Sequence, residues 1–248
     1  MSESKKVAIV TGANRGIGLE TVRQLAKQNV EVFLAARTLQ SAKDATAKLR
    51  AAGSRGIHPI QLDVTKASDR TAAEEQIEKE FGHLDILINN AALGAPEETL
   101  IVKLTSNTSE KELQDVFNTN LFSVLLLTHD LLPLLRKSDA GRIVNVSSTT
   151  GSLTMHANQD PLIAHTKRFA YNASKAALNL FTIHLAQELA DTNIKVNSIL
   201  PGWVKTELGT EHAPMSVEDG AKTSVQAALL DADGPNGTFF HLGQQLPW

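Results

Sequence analysis

Seven short apolar runs recur along this chain, each separated from the next by a stretch of helical spacing, and no other feature constrains the fold as much. The runs are VAIVT (7–11), VFLAA (32–36), HPIQLDV (58–64), LDILINN (84–90), RIVNVSS (142–148), IKVNSIL (194–200) and TFFHL (238–242). Continuous apolar runs of this length suit strands covered on both faces, as in a parallel sheet. Helical patterns occupy 18–28, 39–52, 68–81, 109–136, 171–190 and 216–230. The alternation predicts an α/β fold, a doubly wound sheet of about seven parallel strands with right-handed crossovers and helices on both sides. No linker, repeat or low-complexity segment divides the 248 residues, so residues 1–248 read as a single domain.

Composition mainly excludes. A net charge of −3 gives no reason to expect nucleic acid or an anionic membrane as partner. The absence of cysteine removes disulfides, thiolate nucleophiles and Cys-based zinc sites. The most apolar stretches, 121–128 and 131–135, are interrupted by His129, Asp130 and Pro133, too short and too polar to span a bilayer. MSESKK leads into VAIVTG without the architecture of a signal peptide. The expectation is a soluble, cytoplasmic protein.

In doubly wound sheets, ligands bind beyond the carboxyl ends of the strands. After the first strand comes TGANRGIG (11–18), opening the first helix. Gly12 permits the sharp turn, Gly16 lets the backbone approach a diphosphate, and Gly18 lets helix and strand pack closely. The helix N-terminus then offers free N–H groups and a positive dipole end to phosphate. After the second strand an NAD site would carry a carboxylate for the ribose 2′-hydroxyl. This chain instead has Ala36 and Arg37, with Arg15 inside the glycine loop. Two guanidiniums suit a 2′-phosphate, which favours NADPH over NADH. Asp63, after the third strand, suits either the adenine amino group, with Val64 adding its backbone, or a helix N-cap.

YNASK (171–175) holds the only tyrosine of the chain. Tyr171 and Lys175 stand at i and i+4, on one helix face. An adjacent ammonium favours the phenolate and lowers the phenol pKa, so the pair can exchange a proton with a substrate oxygen. Ser147 and Ser148 end the fifth strand at the same sheet edge, where a hydroxyl can hold a substrate carbonyl. Asn120, in NTNLFS within the expected helix, is either satisfied locally or aimed into a site.

The motifs TGANRGIG, NNAA, NTN, VSSTTG, YNASK and PGWVKT, in this order, resemble those of the short-chain dehydrogenase/reductase family over essentially the whole chain. The resemblance implies a Rossmann fold and hydride transfer between a nicotinamide and a carbonyl or alcohol. It maps a catalytic tetrad onto Asn120, Ser148, Tyr171 and Lys175. Tyr171 is then the proton donor and Ser148 the substrate-orienting hydroxyl, chosen over Ser147 by its spacing to Gly151. Lys175 holds the nicotinamide ribose and lowers the Tyr171 pKa, and Asn120 positions a relay water. Beyond the glycines, arginines and Asp63, it implies cofactor contacts from Asn14, Ile17, Asn90 and Ala91, and from Pro201, Gly202, Val204 and Thr206. A cofactor half then covers about 1–150, and the catalytic helix with its substrate rim about 148–215.

Three departures from the family pattern stand out. Ala92 replaces the glycine of NNAG, Ser148 and Tyr171 lie 23 positions apart with MHANQDPLIAHTKRF inserted between them, and the segment after PGWVKTEL is short. The tail, ending in Trp248, resembles that of the family's carbonyl reductases, which implies a broad-specificity NADPH-dependent reductase of ketones, aldehydes or quinones. The substrate pocket is expected from Leu93, Ser148, Thr149 and His156, with Trp203 after the sixth strand. Leu153 and Met155 fit either pocket or core. No metal is expected, since His156 and His165 have no third ligand at suitable spacing. The competing functions are an NAD-dependent alcohol dehydrogenase and an NADPH-binding regulator without turnover. Monomer and homo-oligomer both remain open.

Overall fold

The structure, a computed structural model, describes residues 5–94, 105–164, 168–209 and 211–248. Its strands are β1 (Val7–Val10), β2 (Glu31–Ala36), β3 (Ile57–Gln61), β4 (Ile86–Asn89), β5 (Arg142–Val146), β6 (Lys195–Ile199), β7 (Phe239–His241) and β8 (Gln244–Gln245). They form one sheet in the order β3-β2-β1-β4-β5-β6-β7-β8. The seven strands expected from sequence are all present and parallel. The added β8 is two residues long and pairs antiparallel with β7, through Phe240 opposite Gln245.

Successive strand residues point to opposite faces, and both faces are apolar. Val7, Ile9, Phe33, Leu87, Ile143 and Val196 pack on one side, beneath α3 (Ala67–Phe81), α5 (Ser123–Leu135) and α7 (Phe169–Glu188). Ala8, Val10, Leu34, Ile88, Val144 and Ile199 pack on the other, beneath α1 (Gly16–Lys27), α2 (Leu39–Ala51) and α8 (Val217–Ala228). This two-sided burial is why the strands read as continuous apolar runs. Each fully buried aliphatic side chain contributes about 1.5–3 kcal/mol.

Two local findings differ from the sequence reading. The helix expected over 109–136 is three pieces: α4 (Glu110–Phe117), a π-helical turn at Asn118–Phe122, and α5. The inserted segment contains a short helix, α6 (Leu153–Ala157), capped by Ser152, whose hydroxyl accepts from Met155 N. Among the described residues no helix is long and apolar enough to cross a membrane. His165 and most of the loop between Leu93 and Asn107 lie outside the described residues.

Candidate active site

The strand order reverses between β1 and β4, and there the chain builds a crevice from backbone. Thr11 closes it: its hydroxyl accepts from Asn90 N (3.0 Å) and Ala91 N (2.9 Å), while the Asn90 carboxamide donates to Thr11 O (2.7 Å) and Gly12 O (3.2 Å). Gly12 has φ +61°, and a Cβ there would lie 2.9 Å from Ala91 Cα. At Gly18 a Cβ would meet Asn90 Nδ2 at 2.5 Å. The close packing expected of Gly18 is therefore against the β4 loop as much as against a strand. Thr11 was not singled out from sequence, although a threonine between a buried strand and a glycine turn was the available signal.

Four other helices, α2, α4, α6 and α8, are capped by the side chains of Thr38, Ser109, Ser152 and Ser216. Helix α1 begins after Arg15 with no side-chain cap, as do α3 after Lys66 and α7 after Arg168, which leaves its first N–H groups open to a ligand. A glycine cradle with an open helix N-terminus fits the diphosphate of a dinucleotide. Asn14 and Arg15 are exposed at the loop tip, and Ile17 is half-buried behind them. The Arg15 guanidinium pairs with Glu207. Arg37 is exposed after β2 and has no hydrogen bond or ion pair among the described residues. Asp63 is held in its own turn, accepting from Thr65 N (3.2 Å) and Thr65 Oγ1 (2.7 Å). Burial pushes its carboxyl up, but the hydrogen bonds from Thr65 and the nearby Lys66 ammonium outweigh this and leave its pKa lowered. The N-cap of α3 is Lys66, so Asp63 is not that cap. Val64 is buried beside it, and its carbonyl accepts from Arg70.

At the end of β5, Ser148 takes extended backbone and its hydroxyl accepts from Thr150 N (3.2 Å). A Cβ on Gly151 would lie 2.7 Å from the Lys175 carbonyl carbon. That close approach presses α7 against the strand end and brings Ser148, Tyr171 and Lys175 together. The Ser148 hydroxyl lies close enough to the half-buried Tyr171 phenol to favour its ionised form. Burial raises the Tyr171 pKa, and the Ser148 hydroxyl and the Arg168 charge only partly oppose this. Lys175 lies with Nζ 5.7 Å from the Tyr171 ring centroid and donates to Val146 O (2.8 Å). Burial brings its pKa down to about 8. The expectation that Lys175 lowers the Tyr171 pKa is therefore corrected for the free protein. Its ammonium is turned toward the Val146 carbonyl, and desolvation governs both groups.

Asn120 is 1% exposed, inside the π-helical turn. Its carboxamide donates to Leu93 O (3.0 Å) and Ser174 Oγ (3.1 Å) and accepts from Leu93 N (2.8 Å). Both amide hydrogens are thus used in tying the β4 loop to α7, a bracing role that sequence reading did not foresee. Ser174 is likewise a residue it missed.

The substrate rim divides. Leu93 and Trp203 are exposed beside the site, and the Trp203 indole donates to Gly209 O. Thr149 is half-buried, and its neighbour Thr150 offers its carbonyl to His156 Nε2 at 2.9 Å, so the His156 ring pins the rim loop. Met155 is buried and belongs to the core. Leu153 is 70% exposed over a surface hollow with Ala176, Leu180, Ile183 and Trp248. Leu180 is nine residues from Tyr171, half a helical revolution away, so that hollow lies on the opposite face of α7. Of the two alternatives, Met155 takes the core one, and Leu153 faces this hollow. Pro201 and Val204 are buried, and Gly202 and Thr206 are half-buried, as β6 leads into the 203–209 segment. Thr206 Cγ2 lies 3.4 Å from a Cβ placed on Gly16. Among the described residues no cluster of His, Cys, Asp and Glu could hold a metal.

The model of the short chain dehydrogenase family matches residues 6–216. Carbonyl reductase [NADPH] 1 of Mus musculus is 31% identical, covering all of this chain and all of that protein. Its alignment spans 288 positions against 248 residues here, so it carries at least 40 residues that this chain lacks. Short-chain dehydrogenase/reductase 1 of Saponaria officinalis is 33% identical over 98% of this chain and 96% of its own length. Among solved structures, an NADPH-bound carbonyl reductase from chicken fatty liver superposes with a TM-score of 0.84 at 27% identity, over 98% of this chain and 99% of that one. Fold, motif order and whole-length similarity agree: the chain belongs to the short-chain dehydrogenase/reductase family.

Proposed function

We propose that the protein is an NADPH-dependent reductase that transfers hydride to ketones or aldehydes, with Tyr171 as proton donor. The observation that carries this reading is the convergence of Ser148, Tyr171 and Lys175 through the approach of Gly151 to α7. The similarity to carbonyl reductases over their whole length supports it. Residues up to about 150 form the cofactor half, and about 148–215 the catalytic helix and rim. A cytoplasmic enzyme acting on small carbonyl compounds is the corresponding biological reading.

The residues present fit a dinucleotide. The glycine loop and the start of α1 would hold the diphosphate, and Arg15 and Arg37 would hold the 2′-phosphate. No carboxylate follows β2, and Thr38 spends its hydroxyl capping α2, which disfavours NAD. When bound, the nicotinamide supplies the hydride. Ser148 donates to the substrate carbonyl and fixes it beside the phenol. The Tyr171 phenol, neutral at pH 7 even at its ordinary pKa, holds the proton that passes to the developing alkoxide. Lys175, still mostly protonated at pH 7, would hold the ribose with its remaining N–H groups and support the phenolate left behind. Asn120 keeps the β4 loop and α7 in register.

The test is consumption of NADPH, with NADH in parallel, on aryl ketones, aliphatic keto esters and quinones. Turnover with NADPH on several of them is expected. Saturable NADPH binding with no turnover of any would favour the regulator, and faster oxidation of alcohols with NAD would favour the dehydrogenase.

A further inference from the structure

Glu207 is an anion stationed at an anion site. It belongs to the 203–209 segment, which folds across the glycine loop and whose course is built rather than loose. Val204 bridges Met215, with Lys205 N donating to Met215 O (3.0 Å) and Met215 N to Trp203 O (3.2 Å). Gly209 N donates to Thr206 O (3.1 Å) and Thr206 Oγ1 (3.0 Å), closing a turn so tight that a Cβ on Gly209 would fall 2.0 Å from Val204 O. Thr206 rests against Gly16, and the next residue, Glu207, pairs with the Arg15 guanidinium. Arg15 is also the residue from which the uncapped helix α1 starts.

We propose that Glu207 is a specificity-determining residue of the cofactor site. In the free protein its carboxylate occupies Arg15, and a cofactor 2′-phosphate must displace it. A carboxylate on the Arg15 guanidinium takes up donors that a dianionic phosphate would use, and the two anions repel each other. Glu207 therefore lowers the preference for NADPH over NADH and speeds release of the phosphorylated cofactor. Both partners are about two-thirds exposed (64% and 66%), so the effect is modest and sensitive to salt. The proposal rests on the reading that Arg15 binds the 2′-phosphate.

The test is the Kd of NADPH and of NADH for the full chain, for E207Q, for R15A and for the double variant, at low salt and at about 0.5 M NaCl. E207Q is expected to raise the NADPH-to-NADH affinity ratio roughly two- to fivefold at low salt. The gain should shrink toward unity at high salt and vanish on the R15A background. A ratio unchanged in E207Q but reduced in R15A would overturn the role of Glu207 while leaving Arg15 in place. Weaker NADPH binding by E207Q would also overturn it, making Glu207 a clamp instead of a competitor. If R15A left the ratio unchanged, the Arg15 reading would fall and the proposal with it.

Discussion

The two ends of the one sheet are built on opposite rules. At the amino ends of the strands, buried polar groups are closed by protein partners. Asp85, ahead of β4, accepts from Val7 N (2.7 Å) and from Ser138 Oγ, with His83 Nε2 at 3.2 Å. Arg142, the first residue of β5 and 3% exposed, donates to Leu230 O, Gly141 O and Asn193 O. Lys195, opening β6, donates to Gly234 O (2.8 Å). At the carboxyl ends, capacity is left unused. Helix α1 has no side-chain cap, and Lys175 spends one of its three N–H groups on Val146 O. Closed polar clusters hold a fold together, whereas unspent donors are ready for a ligand. Substitutions at the two ends should therefore fail in different ways.

Lys175→Met is expected to have the largest effect. Turnover should fall by roughly 10²–10⁴, the range for loss of a group supporting proton transfer, while stability at neutral pH does not drop. A loss of stability larger than the loss of activity would break the contrast. At the other end, Arg142→Ala strands the Leu230 and Asn193 carbonyls and should cost about 2–4 kcal/mol in urea unfolding. Its kcat/KM should stay within about twofold of the parent; a larger change would show that the ends are not independent.

Titration sharpens the point. Lys175 has a folded pKa of about 8 against an ordinary 10.5. Between these values the unfolded chain holds a proton that the folded chain has released, so unfolding free energy rises with pH across that window. Relative to Lys175→Met, the parent should gain about 2 kcal/mol between pH 7 and 9.5, read from denaturation midpoints. A flat difference would mean that the ammonium is not desolvated. The smallest effect belongs to Arg37→Ala, which should weaken NADPH about tenfold and NADH far less, by direct titration of each.

Much of the carboxyl end was legible in the sequence because it is set by local requirements. Gly12 and Gly16 are needed where φ is positive, and the i, i+4 spacing alone puts Tyr171 and Lys175 on one face. What was not legible depends on tertiary packing. A helical pattern over 109–136 gives no sign of the π-helical turn that carries Asn120 inward. Leu153 and Met155 sit in a segment too short for periodicity to orient, so hydrophobicity alone leaves pocket and core both open; Met155 is core and Leu153 faces the far side of α7. The direction of the Tyr171 shift failed for a similar reason. Spacing places an ammonium near the ring, but it does not report that Val146 O claims it or how dry the site is.

The most direct test of the central claim is Tyr171→Phe, which removes one hydroxyl and little else. NADPH affinity and the rate of carbonyl reduction should be measured on the same preparation. The account predicts NADPH affinity within about threefold of the parent and turnover lower by at least roughly 100-fold. Turnover within tenfold of the parent would contradict it and move the proton donor elsewhere.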